Sequence, residues 1–273
     1  MRHKLLAGLA AGFIATVGVA APAQAISPST ADLYVLHAVP DLTVDVWVNG
    51  EVLLEDFTPG TLTDPVDLPA GDYEVVITAA DDPITSPAIG PVTLTLAANT
   101  SYTAVAHLDA SGAPTATLFT NDLSTIPAGQ GKLTVRHTAA APAVDILANG
   151  AAAFTNLSNP DEVSATLPVG TISAAVAATG TTDPVIGPAD VTIQEGVNTI
   201  VYAWGSLEAD NLALAVQTIG GLHSNPGGVQ SGTAGLAADP NPATIGWTIA
   251  GLIALLAAAS VATLRLRARH ADR

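Results

Sequence analysis

The fold is decided by residues 33–50, which read LYVLHAVPDLTVDVWVNG, because the same pattern returns 100 positions later. Residues 133–150 read LTVRHTAAAPAVDILANG, and seven of these 18 positions are identical in the two stretches. The shared residues are Leu33, Val35, His37, Val44, Asp45, Asn49 and Gly50, which recur as Leu133, Val135, His137, Val144, Asp145, Asn149 and Gly150. An internal repeat of this length predicts one structural unit built twice.

The match continues past this stretch with small shifts, as expected when loops change length and strands do not. Three further pairs correspond: Leu68-Pro69-Ala70-Gly71 with Leu167-Pro168-Val169-Gly170, Ile89-Gly90-Pro91 with Ile186-Gly187-Pro188, and Asn99-Thr100 with Asn198-Thr199. We therefore predict repeat 1 over residues 30–122 and repeat 2 over residues 130–220, each large enough for a small core. Between them, Pro127, Gly129 and Gly131 indicate a short hinge.

Both repeats have the sequence signals of β-strands. The pairs Asn49-Gly50 and Asn149-Gly150 follow strand-like runs and are strong signals for a hairpin. Turn residues recur about every 8–12 positions, and no helical stripe of apolar residues interrupts residues 26–220. These features predict an all-β fold of two tandem antiparallel β-sandwich domains, immunoglobulin- or transthyretin-like, with about seven or eight strands in each.

The first 25 residues have the features of a secretory signal peptide. A basic start at Arg2 and Lys4 precedes an apolar run, and Ala23-Gln24-Ala25 fits a small-residue cleavage site. We therefore predict that residues 1–25 direct export, with an uncleaved N-terminal anchor as the alternative.

The other end of the chain predicts a membrane anchor. Residues 244–264, from Thr244 to Leu264, carry no charge and are long enough to cross a bilayer as one helix. The basic tail over residues 265–273 is expected in the cytoplasm, and the Gly- and Pro-rich residues 221–243 indicate a flexible stalk. The prediction is a single-pass cell-membrane protein with its N-terminus outside.

The charge and composition exclude several classes of function. Between residues 26 and 264 the bases are Lys132 and Arg136, against 23 acids, so a nucleic-acid partner is not expected. The chain has no cysteine, which excludes zinc–thiolate sites, iron–sulfur ligation and thiol catalysis. Abundant alanine with little lysine is associated with GC-rich bacterial genomes, and we expect an actinobacterial source.

The opening stretch resembles the start of the domain-of-unknown-function 4397 family (DUF4397). That family has a strand ending in His-Ala-x-Pro, then Val-Asp-Val-x-Val-Asn/Asp-Gly, and later a Leu-Pro-x-Gly-x-Tyr turn, which Leu68 to Tyr73 match here. The second copy departs from this pattern with Thr138 after the histidine and Ile172 in place of the tyrosine. The resemblance implies exported or surface-attached β domains, often in tandem, and implies no activity.

The repeated ionisable residues are two pairs, His37 with Asp45 and His137 with Asp145. A carboxylate that orients an imidazole is half of a catalytic triad or half of a metal site. The alternative is a structural hydrogen bond that fixes the turn. Because both copies keep the pair and no third partner is implied by spacing, we interpret the residues as a structural motif, together with Asn49, Gly50, Asn149 and Gly150. No catalytic residue, resident metal or cofactor is predicted.

Two further groups of side chains suggest binding. Clustered acids are calcium ligands in many proteins, and the candidates are Glu55, Asp56, Asp64, Asp67, Asp81 and Asp82. Aromatic rings stack on sugars, and the candidates are Tyr34, Trp47, Tyr73, Tyr102, Tyr202 and Trp204. We expect most of the acids to be solvated and most of the aromatic rings to pack in the core.

The sequence therefore favours a non-enzymatic cell-surface protein. Its membrane-anchored ectodomain would serve adhesion, envelope organisation or ligand binding, with a cell-envelope or extracellular protein or glycan as partner. The alternative is an exported metal- or carbohydrate-binding accessory domain that uses the His/Asp pairs or the acidic loops.

Overall fold

The computed structural model describes residues 28–224, and within that range the chain is all-β without a helix, as the sequence predicts. The expected signal peptide, transmembrane segment, cytoplasmic tail and nearly all of the expected stalk lie outside the described residues. In the part that is described, no helix is long and apolar enough to cross a membrane.

Sixteen strands follow one another in two sets of eight. In repeat 1 they are β1 (Thr30–Ala38), β2 (Val44–Val48), β3 (Glu51–Phe57), β4 (Val66–Pro69), β5 (Gly71–Ala79), β6 (Pro87–Leu96), β7 (Thr100–Leu108) and β8 (Pro114–Thr120). In repeat 2 they are β9 (Gln130–Ala140), β10 (Val144–Ala148), β11 (Ala151–Leu157), β12 (Glu162–Pro168), β13 (Gly170–Ala178), β14 (Pro184–Ile193), β15 (Asn198–Ser206) and β16 (Ala213–Ile219). The predicted strand number per copy is confirmed.

The strands form four sheets of four, two in each repeat. Repeat 1 has an outer sheet in the order β3-β2-β5-β6 and an inner sheet in the order β4-β1-β7-β8. Repeat 2 has the same arrangement, with an outer sheet β11-β10-β13-β14 and an inner sheet β12-β9-β15-β16. The shared order means that the second copy reproduces the topology of the first strand by strand.

The prediction of purely antiparallel sheets is wrong for one pair of strands in each repeat. β1 lies parallel to β7, and β9 lies parallel to β15. Parallel neighbours need a long crossover between them, which the chain provides by passing through the outer sheet. Hairpin signals in the sequence identify only consecutive strands, so they could not indicate this pairing.

Each repeat has its own hydrophobic core between its inner and outer sheets. In repeat 1, Leu33 and Val35 of the inner sheet pack with Val44, Val46 and Ile77 of the outer sheet. In repeat 2 the corresponding core contains Leu133, Val135, Val144, Ile146 and Val176. Alternate residues along each strand therefore bury one face, as strand geometry requires.

A third core joins the two repeats through their inner sheets. Leu36, Val105 and Phe119 of repeat 1 pack against Ile200 and Tyr202 of repeat 2, all of them buried. The four sheets consequently stack as layers, and the described residues 28–224 belong to one compact unit. The two repeats therefore pack against each other and are not independent domains joined only by a linker.

The connection between the repeats is held in place at several points, in contrast to the hinge that its glycine and proline residues suggest. The Ile126 side chain is buried, and its backbone N–H donates to Leu222 O at 2.6 Å. The N–H of Gly129 donates to the Glu195 carboxylate at 2.9 Å. Glu195 within repeat 2 and Leu222 directly after it thus fix the segment that enters the repeat.

In β7 and β15, the residue-by-residue correspondence between the repeats differs from the one read from the sequence. His37 lies beside Ala106, and His137 lies beside Ala203, so β7 and β15 correspond at an offset of 97. The Asn99 position, with a φ of 56°, is occupied in repeat 2 by Gly196, with a φ of 64°. A slip of two residues leaves every side chain on its face, so the hydrophobic pattern could not reveal the error.

Candidate functional site

The two repeated histidines are buried and each fixes the turn that follows its strand. His37 Nε2 donates to the carbonyl of Leu42 at 2.6 Å, and His137 Nε2 donates to the carbonyl of Pro142 at 3.1 Å. Burial lowers the pKa of both imidazoles, and these hydrogen bonds oppose that shift. Both rings are therefore neutral at pH 7, with the proton on Nε2 because a carbonyl can only accept.

The two repeated aspartates fix different loops. Asp45 accepts from the backbone N–H of Asp56 at 2.9 Å and of Asp81 at 3.3 Å. Asp145 accepts from the equivalent sites, Asn156 N at 2.8 Å and Gly180 N at 2.9 Å. The bonds from Gly180 and then Asn156 lower the pKa of the Asp145 carboxyl.

The histidine and the aspartate of each pair consequently have separate tasks. Among the described residues no hydrogen bond joins His37 to Asp45 or His137 to Asp145. Each aspartate accepts hydrogen bonds from backbone N–H groups with both of its carboxylate oxygens, and each histidine donates a hydrogen bond to a carbonyl. This geometry lacks the carboxylate–imidazole contact on which a Ser-His-Asp triad depends.

The predicted Asn-Gly hairpins are confirmed in both repeats. Asn49 and Gly50 have φ values of 51° and 83°, and Asn149 and Gly150 have φ values of 50° and 81°. Two successive residues with positive φ make a type I′ turn, which glycine and asparagine adopt most readily. The Asn49 side chain also accepts from Glu74 N at 3.0 Å, so it ties the turn to β5.

Within residues 28–224, the acidic loops do not bring three or more histidine or acidic side chains close enough to share a metal ion. Two of the candidates, Asp56 and Asp81, have positive φ and contribute their backbone N–H groups to Asp45. Their role in the described geometry is to shape turns.

The six candidate aromatic rings are spread over three regions and do not form one surface. Tyr73 and Tyr102 pack against the core of repeat 1. Tyr34, Tyr202 and Trp204 belong to the cluster between the repeats. Trp47 is half-buried and donates its indole N–H to Thr78 Oγ1 at 3.1 Å. The expectation that aromatic rings serve packing is therefore met by five of the six.

A buried polar network that the sequence did not reveal crosses the boundary between the repeats. Arg136 is only 1% exposed, and its Nη1 donates to Asn121 Oδ1 at 3.1 Å and to the Tyr202 hydroxyl at 2.7 Å. Its guanidinium also lies 4.5 Å from the centre of the Phe119 ring. Asn121 and Phe119 come from repeat 1, so one arginine of repeat 2 binds the other repeat through a hydrogen bond and a cation–π contact.

The second base of this region serves the same boundary. Lys132 is buried and forms an ion pair with Asp122, which follows the last strand of repeat 1. Its ammonium also donates to Ser124 Oγ at 2.8 Å. A sequence signal existed, because Lys132 and Arg136 are the only lysine or arginine residues between 26 and 264 and both lie on one strand.

These observations define an all-β protein of two packed eight-stranded repeats whose repeated polar residues anchor loops. Residues 31–147 match the model of a family described as Domain of unknown function (DUF4397). The match takes in repeat 1 and continues to β10, which is less than half of the chain. The resemblance read from the opening motif is confirmed for this segment. No curated protein matches the chain.

Proposed function

We propose that this protein is a non-enzymatic, membrane-anchored surface protein of an actinobacterial cell. Its two repeats would form one rigid ectodomain for adhesion, envelope organisation or ligand binding. The observation that carries the proposal is the use of the repeated His/Asp residues: all four form hydrogen bonds with backbone groups of loops. The signal-peptide and membrane-span patterns at the ends of the sequence support the location.

The charge distribution supports an extracellular protein or glycan as the partner. Residues 28–224 contain 22 acids and two bases, and both bases are buried in contacts between the repeats. The exposed surface therefore carries charge of one sign, apart from histidine. Such a surface repels nucleic acid and anionic lipid headgroups and stays well solvated.

We also propose that each repeat is an immunoglobulin- or transthyretin-like sandwich and that repeat 2 belongs to the same family as repeat 1. The support is the shared strand order of the two repeats and the packing of an inner on an outer sheet in each. Asp45 and Asp145 accept hydrogen bonds from backbone N–H groups at equivalent positions, which also supports the proposal.

The proposal is tested by locating the full-length protein and a variant that ends at Ser224 in a bacterial host. We expect the full-length chain in the membrane fraction, open to protease added outside intact cells, and the shortened chain in the medium. Full-length protein that stays protected from external protease in the cytoplasm would disprove the location. Hydrolysis of a substrate by the purified chain would disprove the non-enzymatic assignment.

A further inference from the structure

The two repeats differ most in the space between their sheets. Repeat 2 contains an apolar cavity of about 270 Å³, whereas the same space in repeat 1 amounts to about 30 Å³. Protein interiors are close-packed, and voids larger than a water molecule are few in a domain. A large cavity in one of two copies of the same fold is therefore a property of that copy's side chains and not of the fold.

Three alanines border the cavity at positions where repeat 1 has larger side chains. Ala148, Ala153 and Ala174 line it, and their structural counterparts in repeat 1 are Val48, Leu53 and Val75, which line the small cavity there. The strand registers establish this correspondence, since Val48 pairs with Val75 exactly as Ala148 pairs with Ala174. Repeat 2 thus has seven fewer side-chain carbon atoms at these positions.

The cavity has a route to solvent at one edge of the sandwich. In repeat 1, β6 and β8 pack along each other and close this edge, whereas β14 and β16 of repeat 2 lack a comparable contact. Three lining residues on these strands, Ile186, Val191 and Leu214, are only partly buried. A small molecule can therefore enter without separating the two sheets.

The lining determines which chemistry the cavity accepts. No ionisable side chain lines it, and Phe154 is the single aromatic residue among aliphatic ones. Both bases of repeat 2 are already paired, so nothing at the site compensates a carboxylate headgroup. The volume exceeds that of an engineered apolar cavity of about 150 Å³ that stays dry and binds benzene.

We propose that repeat 2 binds a neutral aliphatic molecule, of the class of a medium-length alkyl chain, in this cavity, and that repeat 1 does not. The proposal does not depend on where the protein resides or on its partner outside the cell. The filled space of repeat 1 provides an internal negative control within the same chain.

The test is photolabelling of the full-length protein, in the cell fraction where it is found, with 1-decanol that carries a diazirine in its chain. Peptide mapping is expected to place several-fold more label on β10, β11 and β13 than on β2, β3 and β5. Unlabelled 1-decanol should remove this label, whereas decanoate at pH 8 should not. Equal labelling of the two repeats would refute the proposal.

Matched variants take the missing side chains from repeat 1. Ala153→Leu and Ala174→Val are expected to abolish labelling of repeat 2. Ala174→Val should also raise the melting temperature by about 2–4 °C because it fills a void, whereas a leucine at the exposed position 153 stays partly in solvent, as Leu53 does at 38% exposure. The reciprocal Val75→Ala should introduce label into repeat 1. A filled variant with unchanged label would show that the alkyl chain binds elsewhere. A filled variant that melts at a lower temperature than the wild type has not filled the void. In that case, labelling of the Val75→Ala variant decides the proposal.

Discussion

Repeat 1 and repeat 2 share every strand, the sheet order and the loop anchors, yet they differ in how their interiors and contact faces are filled. Asp45 and Asp145 hold the same two loops, and Asn49 and Asn149 make the same turn. The comparison shows that a few polar anchors maintain this topology while the core around them changes volume. The anchors act through backbone groups, so they tolerate any apolar neighbour that leaves their loops in place.

The inner sheets differ because they face each other. Leu36 in repeat 1 corresponds to Arg136 in repeat 2, and the strand registers place Val105 opposite the same partner positions as Tyr202. Two copies of the Arg136 face would bring two arginines into one buried interface, where like charges repel strongly. The apolar Leu36 and Val105 of repeat 1 avoid this repulsion.

The largest expected effect concerns this interface. Arg136→Ala should lower the free energy of unfolding by about 3–5 kcal/mol, because it leaves buried polar partners in both repeats unpaired. Urea denaturation followed by circular dichroism measures the change. Glu162→Gln is the control, since this partner of Arg136 is 41% exposed and its loss should cost about 1 kcal/mol or less. A loss below about 1 kcal/mol for Arg136→Ala would mean that the repeats do not pack as described.

The next largest effect is the loss of stability when the same core leucine is truncated in each repeat. Leu33→Ala should cost about 2–5 kcal/mol, because it opens a new void in a filled space. Leu133→Ala, at the identical position of repeat 2, should cost about 1 kcal/mol less, since Leu133 already borders a cavity and has fewer contacts to lose. Urea denaturation of the two variants side by side measures the difference. Equal losses would indicate that the two cores are equally packed.

A smaller effect separates the two loop anchors. The lowered pKa of Asp145 means that its contribution to stability is present above the ordinary carboxyl pKa and is lost as the pH falls through the lowered value. Asp145→Asn should therefore lower the melting temperature at pH 7, and the deficit should shrink below about pH 4. Asp45→Asn should have the weaker effect, because its contact with Asp81 is longer and more exposed. A larger effect at Asp45 would reverse this ranking.

The smallest effect lies in a pair of acids found only in repeat 1. Asp32 lies opposite Asp67 across β1 and β4, where repeat 2 has Lys132 opposite Thr166. Burial, and then the hydrogen bond and negative charge of Asp67, raise the pKa of Asp32 to about 6. The proton is bound more tightly in the folded state, so this contribution is present below the unfolded-state value and is lost as the pH rises through about 6.

Asp32→Asn removes that titration. The variant is expected to melt at a slightly higher temperature than the wild type at pH 8, with the gap closing towards pH 4.5, in a series of thermal melts. Asp183→Asn, an exposed acid of repeat 2, is the matched control and should show no such trend. A pH-independent difference for Asp32→Asn would remove the coupling to Asp67.

Much of the fold was predictable because its signals are local. The Asn49-Gly50 turn depends on the φ preferences of two residues, and alternation along a strand depends on its own pleat. The candidate site was predictable in its residues and not in its contacts. His37 and Asp45 were identified from recurrence, but their hydrogen bonds to Leu42 and Asp56 depend on where the chain returns in space.

By itself, the sequence determined the all-β class, the duplication and the hairpins, since each follows from the conformational preferences of neighbouring residues. Only the tertiary structure decided that β1 lies parallel to β7, that Arg136 joins the two repeats and that repeat 2 contains an apolar cavity. These outcomes depend on residues distant in the chain meeting across a sheet. Whether such a contact forms depends on residues from both sides of an interface. The local sequence of one side therefore does not specify it.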